Sequence, residues 1–139
     1  MGQKVNPIIF RMGQTQSWSS KWFSIKDYAM FLRQDILIKK FLKEKLKEAN
    51  VARIDIERSS GNIVIIIHTA KPGMVIGRDG RRVEEVRQRL ERISSKRVKL
   101  TVSEIYQAEM DAHLVARNVA DQIERRVAFR RAIRQSAAR

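Results

Sequence analysis

Gly77 and Gly80, three apart in Val75-Ile76-Gly77-Arg78-Asp79-Gly80, are the residues whose spacing points most directly to a ligand. With no Cβ, each lets the backbone turn tightly and come close to a partner. Lys71, Arg78 and Arg81 lie within a few residues of them. A helix starting near Gly80 would aim its unpaired N–H groups and the positive end of its dipole into the same gap. Glycines, cations and a helix start suit the backbone of a polyanion. Two glycines at this spacing, taken alone, suit a plain helix-to-helix turn equally well.

Spacing sets other chemistry aside. Gly73, Gly77 and Gly80 read G-x-x-x-G-x-x-G, which is not the dinucleotide fingerprint, and no Gly-Lys-Ser/Thr follows to make a P-loop. His68 and His113 are the only histidines and lack a metal-ligand spacing. Glu84 and Glu85 are adjacent on a predicted helix and so point to different sides. Asp111, Asp121 and Glu124 read as helix-surface acids. A lyase or nuclease would need a lysine nucleophile of lowered pKa, and no lysine stands out. No catalytic residue, metal ligand or cofactor site is expected, and the chain reads as a non-enzyme.

The chain has 139 residues, a length for one domain with extensions, and its 43% hydrophobic content supports a modest core. Lys and Arg number 29 against 15 Asp and Glu, a formal charge of +14. Such an excess costs self-repulsion and usually answers an anionic partner. Nucleic acid is expected, ahead of a membrane surface. The absence of cysteine excludes disulfides, thiolate chemistry and Cys-based zinc sites. The longest apolar run, Ile63 to Ile67, is too short to span a bilayer. Asn6 stands where a myristoylation signal wants Ser or Thr, and no secretory pattern follows. A soluble protein that stays where it is made is expected.

These residues must be positioned by elements. Residues 1–23 read as an extended basic arm carrying Lys4, Arg11 and Lys21. Its aromatics Trp18, Trp22 and Phe23 either stack on bases or fold back onto the core. Ser24 and Asp27 form a capping box for a helix to about Asn50, with Tyr28, Ala29, Leu32, Ile36, Leu42, Leu46 and Ala49 at roughly helical spacing. Val51 to Arg58 alternates as a half-buried strand, Ser59 to Asn62 turns, and Ile63 to Thr69 is a β-branched run fit for a central strand. A short helical piece, Met74 to Ile76, leads into the glycine loop. Val83, Val86, Leu90 and Ile93 then mark a helix, and Val98, Leu100 and Val102 a third strand. The crossover from second to third strand should be parallel. From 108 to about 135 a single long helix is predicted, striped by Ala112, Val115, Ala116, Val119, Ile123 and Val127. Arg125, Arg126, Arg130, Arg131, Arg134 and Arg139 crowd its end. The fold class is α+β, an α/β sandwich of a three-stranded mixed sheet with helices on one face. Residues 24–105 form the domain, and 106–139 the long basic helix.

A glycine-x-x-glycine loop that clamps nucleotide backbone is the mark of KH domains, and this loop resembles one. Met1-Gly2-Gln3-Lys4-Val5-Asn6-Pro7, Arg11-Met12-Gly13, Trp18 and Trp22 resemble the start of the small-subunit ribosomal protein S-three family of bacterial or organellar type. His68 to Gly77 is similar to that family's approach to its loop. Leu114-Val115-Ala116, Glu124 to Val127 and Phe129 to Ala132 resemble its later motif. The resemblance implies a type II KH domain in the head of the small ribosomal subunit. It also implies small-subunit rRNA, mRNA and neighbouring head proteins as partners, and a ribosome of the cytoplasm or an organelle. It places rRNA contacts on an arm that includes Lys4, Asn6, Arg11, Trp18 and Trp22. Arg130, Arg131 and Arg134 would line the mRNA entrance and help to open structured mRNA. It further implies a C-terminal α/β domain of which 106–139 would be the start. The loop departs from the family's common pattern in holding Asp79 beside Arg78, and a carboxylate repels phosphate. The competing reading is a free-standing KH-type RNA-binding regulator.

Overall fold

The β-branched run lies where a sandwiched strand should. Ile63, Ile65 and Ile67 are fully buried, while Val64 and Ile66 on the opposite pleat are half-buried. Burying each such isoleucine contributes about 2 kcal/mol. The computed structural model describes residues 2–138; Met1 of the opening motif and Arg139 of the terminal basic cluster lie outside the described residues. In chain order the elements are helix α1 (Pro7–Phe10), strand β1 (Ser20–Lys21), α2 (Tyr28–Lys45), β2 (Val51–Arg58), β3 (Asn62–Thr69), α3 (Pro72–Ile76), α4 (Arg81–Ser94), β4 (Arg97–Glu104), α5 (Ala112–Glu124) and α6 (Phe129–Ala137). Short 3-10 turns occupy Lys47–Ala49, Arg78–Gly80 and Ala108–Met110. From α2 to β4 this is the order expected of a type II KH domain, and the class is α+β.

β2 and β3 pair antiparallel, with Ile54 opposite Ile67 and Ile56 opposite Ile65; β3 and β4 pair parallel, with Ile65 opposite Leu100. Ile38, Leu42 and Leu46 of the α2 segment, Val75 of α3, and Val86 and Leu90 of α4 join the strand isoleucines in one core. α2, α3 and α4 therefore cover a single face of the sheet. α4 packs as its stripe predicts, with Val86 and Leu90 buried and Val83 and Ile93 at the margin.

The sheet has four strands rather than the three expected, in the order β1-β2-β3-β4. The fourth comes from the arm, which is not wholly extended. Asn6 caps α1 by accepting from the Ile8 N–H (2.9 Å), and Ser20 and Lys21 then pair parallel with Ile56 and Glu57. The outer edge of β2 would otherwise leave backbone groups open. Here the Ile56 N–H donates to the Ser19 carbonyl (2.9 Å) and Lys21 pairs with Glu57 (3.0 Å). Lys39 donates to the Ser19 and Ser20 hydroxyls, at 2.9 and 3.1 Å. Burial lowers its pKa from the ordinary lysine value, partly opposed by Asp35.

Two expected helices differ in detail. The Ser24 hydroxyl does accept from the Asp27 N–H (3.0 Å), but α2 begins only at Tyr28. Its inward stripe runs Phe31, Asp35, Ile38 and Leu42, while Tyr28, Leu32 and Ile36 are exposed. The helix is turned this way because Asp35, 3% exposed, meets Arg58 from β2. Arg58 Nε donates to Asp35 Oδ1 (2.9 Å), Arg58 Nη1 to the Gln34 amide oxygen (2.9 Å), and Trp22 Nε1 to Asp35 Oδ2 (2.8 Å). A buried ion pair with its remaining lone pairs satisfied is the form in which burial is tolerated. Trp22 packs edge-on to Phe31 and tilted against Tyr28.

The single late helix is in fact two. Arg126 adopts a left-handed conformation (φ 64°) after α5. The Arg126 N–H donates to the Ile123 carbonyl (2.8 Å) and the Val127 N–H to the Gln122 carbonyl (3.1 Å). That bond pair is a Schellman stop. The Ala128 carbonyl then receives the Arg131 and Ala132 N–H groups and α6 begins, packing against α5 with Ala132 buried. Leu114, not Ala112 or Ile123, is the buried apolar residue of α5. Arg126 is therefore off any helix face shared with Arg130 and Arg134.

Candidate nucleic-acid interface

Thr69 sets the approach to the glycine loop. Buried at the end of β3, its hydroxyl donates to the Ala49 carbonyl (2.5 Å) and accepts from the Lys71 N–H (3.1 Å). This fixes where α3 starts, with Pro72 at its first turn and Lys71 exposed just before it. α3 closes when the Gly77 N–H donates to the Gly73 carbonyl (2.9 Å).

Gly77 (φ 74°, ψ −179°) occupies a backbone region available essentially to glycine alone. A Cβ there would stand 2.7 Å from the Arg82 Cβ, so the loop lies directly against the first turn of α4. Asp79 (φ 55°) and Gly80 (φ 72°) are both left-handed, and aspartate is among the few other residues that visit this region. α4 follows with no side chain capping its start, leaving its first turn open to an acceptor from outside.

Arg78 and Arg81 are exposed, and neither they nor Lys71 make an ion pair among the described residues. Arg82 instead donates to the Lys45 carbonyl (3.2 Å) and ties the loop to the end of α2. A shallow hollow of about 620 Å³ lies between Gly73, Met74, Gly77, Arg78, Arg81, Arg82 and Glu85. Of the five loop positions expected from sequence, Gly77, Arg78 and Arg81 line this hollow, Gly80 stands at the start of α4 beside it, and Lys71 lines a separate pocket with Asn50, Leu114 and Asn118. Asp79 sits exposed among them.

The other candidates lie elsewhere. Arg130, Arg131 and Arg134 are all exposed on α6, with the Arg130 guanidinium 5.8 Å from the centre of the Phe129 ring. In the arm, Lys4, Asn6, Arg11 and Trp18 are exposed. Asn6 is already engaged as a helix cap, and Arg11 Nη1 donates to the Pro7 carbonyl (3.2 Å). Trp22 is half-buried with its ring and N–H taken by Tyr28, Phe31 and Asp35. Stacking on a base is therefore not open to it; Trp18 and Phe23, 65% and 87% exposed, keep their faces.

One flank of α4 escaped the sequence reading. Glu84, Arg87 and Glu91 recur at i, i+3 and i+7, so they share a face. Arg87 donates to Glu84 (2.9 Å) and to Glu91 (2.7 Å). The hydrogen bonds from Arg87 hold the Glu84 carboxyl down to about 2, and Glu84 raises the Arg87 pKa in turn. Glu91 also accepts the Val98 N–H of β4 (3.2 Å). The i, i+3 and i+4 spacing was the available signal, and charges at that spacing read first as a solvated surface.

Residues 37–110 match the KH domain family. The chain is 53% identical over 97% of its length to small ribosomal subunit protein uS3 of Maridesulfovibrio salexigens, covering 63% of that protein. It is 48% identical over its whole length to uS3 of Halalkalibacterium halodurans, covering 64%. It is 49% identical over 98% to uS3 of Anaeromyxobacter dehalogenans, covering 61%. The chain thus spans a little under two thirds of these relatives. Among the described residues no helix is long and apolar enough to cross a membrane. With a family match over more than half its length, and a glycine loop set between two helices on a mixed sheet in the matching order, the chain belongs to the KH domain family.

Proposed function

We propose that this chain is a structural, RNA-binding constituent of the head of the small ribosomal subunit, holding small-subunit rRNA beside neighbouring head proteins. The observation that carries the reading is the similarity, over nearly all of this chain, to proteins named small ribosomal subunit protein uS3. The physical features agree with it. A charge of +14 is spread over arm, α2, loop and α6, and the loop presents exposed cations around an uncapped helix start. Backbone contacts of this kind fix position without reading sequence.

Arg130, Arg131 and Arg134 border the mRNA entrance in this reading. Their guanidiniums are exposed on one short helix, and Arg130 and Arg134 share a face at i and i+4. Changing all three to Ala spares rRNA assembly and impairs passage of structured mRNA. A triple variant that no longer joins the small subunit would make these arginines assembly contacts instead.

Co-sedimentation with small subunits at moderate salt, with crosslinks mapped to small-subunit rRNA, tests the main reading. Crosslinks scattered over messenger RNAs without co-sedimentation would favour the free-standing regulator. If about 6 phosphates are neutralised, affinity falls on the order of a thousandfold between about 50 and about 200 mM salt. A flat salt response would overturn the electrostatic account.

A further inference from the structure

Side chains from two segments far apart in the sequence meet where α5 lies against the end of α2. Lys43, in the last turn of α2, and Lys47, in the 3-10 turn that follows, line a narrow cleft of about 170 Å³. His113 and Arg117, four apart on α5 and so on one flank of it, line the same cleft. Leu46, Asn50 and Val51 complete the lining. Both segments are held from outside the cleft. Asn50 is left-handed (φ 51°) and turns the chain into β2, while Leu46 is buried in the core. Leu114 is buried and anchors α5, whose start is capped by Asp111 accepting from the His113 and Leu114 N–H groups (2.9 and 3.1 Å).

No carboxylate lines this cleft. Asp121, one turn further along α5, pairs with Arg117 at 3.3 Å. Glu44 and Glu48 follow the two lysines in sequence and are exposed, yet neither lysine makes an ion pair among the described residues. The negative end of a helix dipole attracts lysines, which accounts for Lys43 and Lys47 at the end of α2. It does not account for an arginine and an imidazole brought to them on another helix. Like charges held together repel, and an anion between them turns that repulsion into attraction.

We propose that this cleft is a phosphate-binding site. It shares no lining residue with the hollow at the glycine loop and does not depend on that loop taking RNA. Lys43, Lys47 and Arg117 supply charge together with N–H donors, and a neutral His113 supplies one N–H donor more. Pockets that enclose a whole small ligand begin at about 300 Å³, so this cleft takes the phosphate group and leaves the rest of its molecule outside. An RNA backbone and free phosphate offer the same chemistry to it.

The test uses the 139-residue chain, inorganic phosphate, an oligouridylate of about four nucleotides, and backbone amide NMR. The parent is compared with K47Q, R117Q and K26Q. Lys26 is exposed ahead of α2 and lies beyond its 18 residues, about 27 Å, from the cleft, so K26Q removes the same charge at a distance. Phosphate should shift the Lys47, His113 and Arg117 amides of the parent. Its Kd should rise about fivefold in K47Q and in R117Q, and less than about twofold in K26Q. Oligouridylate that moves the same amides identifies an RNA backbone as the source; movement with phosphate alone identifies free phosphate, and either result upholds the site. Equal weakening by K26Q would mean attraction to the overall charge and overturns it. So does the absence of shifts at these amides with both probes, whatever oligouridylate does at the loop. Oligouridylate that binds nowhere overturns the RNA-binding reading instead, and phosphate alone then decides the site.

Discussion

Replacing Arg126 by glycine separates two descriptions of the C-terminal segment by the sign of one measurement. In the structure Arg126 is left-handed and closes α5 with two reversed hydrogen bonds. A side-chain-bearing residue in that conformation costs about 1–2 kcal/mol. Glycine removes this cost but returns about 0.4–1 kcal/mol through its greater freedom in the unfolded chain. R126G should therefore stabilise the segment by about 0.5–1 kcal/mol. Were the helix continuous through this point, the same change would place glycine in a helix interior and destabilise it by about 0.8 kcal/mol. At this chain length a kcal/mol corresponds to about 3–5 °C, so the two outcomes differ by several degrees in Tm. Urea unfolding by circular dichroism, with amide exchange across α6 as a local readout, makes the measurement. A lowered midpoint and weaker α6 protection would refute the break.

Other expectations follow from the interior and the loop. D35A leaves the Arg58 guanidinium buried without its carboxylate and should cost about 3–5 kcal/mol in urea unfolding; a loss under about 1 kcal/mol would mean that Arg58 finds water or another partner. At the loop, G77A meets both a left-handed φ and a contact at 2.7 Å, whereas G80A meets only the φ. G77A should therefore be the more destabilising by at least about 1 kcal/mol, and a reversed order would refute the close approach of loop and α4. Glu84 has its pKa held at about 2 against an ordinary 4.5, so the stabilising contribution of its pairing is complete above about pH 4.5 and is lost as pH falls through about 2. Carbon-detected titration of its carboxyl near 4.5 would contradict the Arg87 bonds, and salt should move the midpoint upward because the pair is exposed.

What was legible in the sequence is what repeats locally. Ile63 to Ile67 and the Val83, Val86, Leu90 and Ile93 stripe carry their period within a few residues, so strand and helix follow from pattern alone. The loop was legible because glycine types and spacing are themselves the conformational requirement. Asp35 was not: an apolar-stripe reading passes over a carboxylate, and the partner that makes its burial tolerable lies 23 residues away. Arg126 was invisible for a different reason. A helix stop usually announces itself by glycine, whereas here the reversed hydrogen bonds and the docking of α6 hold an arginine in place. β1 has two residues and no alternation; what selects it is the open edge of β2, a tertiary fact. The second contact of Glu91 was equally hidden, since that partner is a backbone N–H on another element.

The pairing of β1 with β2 has a consequence for the order in which the molecule is made. Lys21 and Glu57 stand 36 residues apart in the chain. At a synthesis rate of about 5–20 residues per second, the arm waits about 2–7 s before its partner strand exists. During that interval Asp35 lacks its partner Arg58, and the cations of the arm have no sheet to lie on. β2 and β3 are joined by a short turn and can zip in microseconds once made. The arm is thus placed only after β2, well downstream of it, has been made.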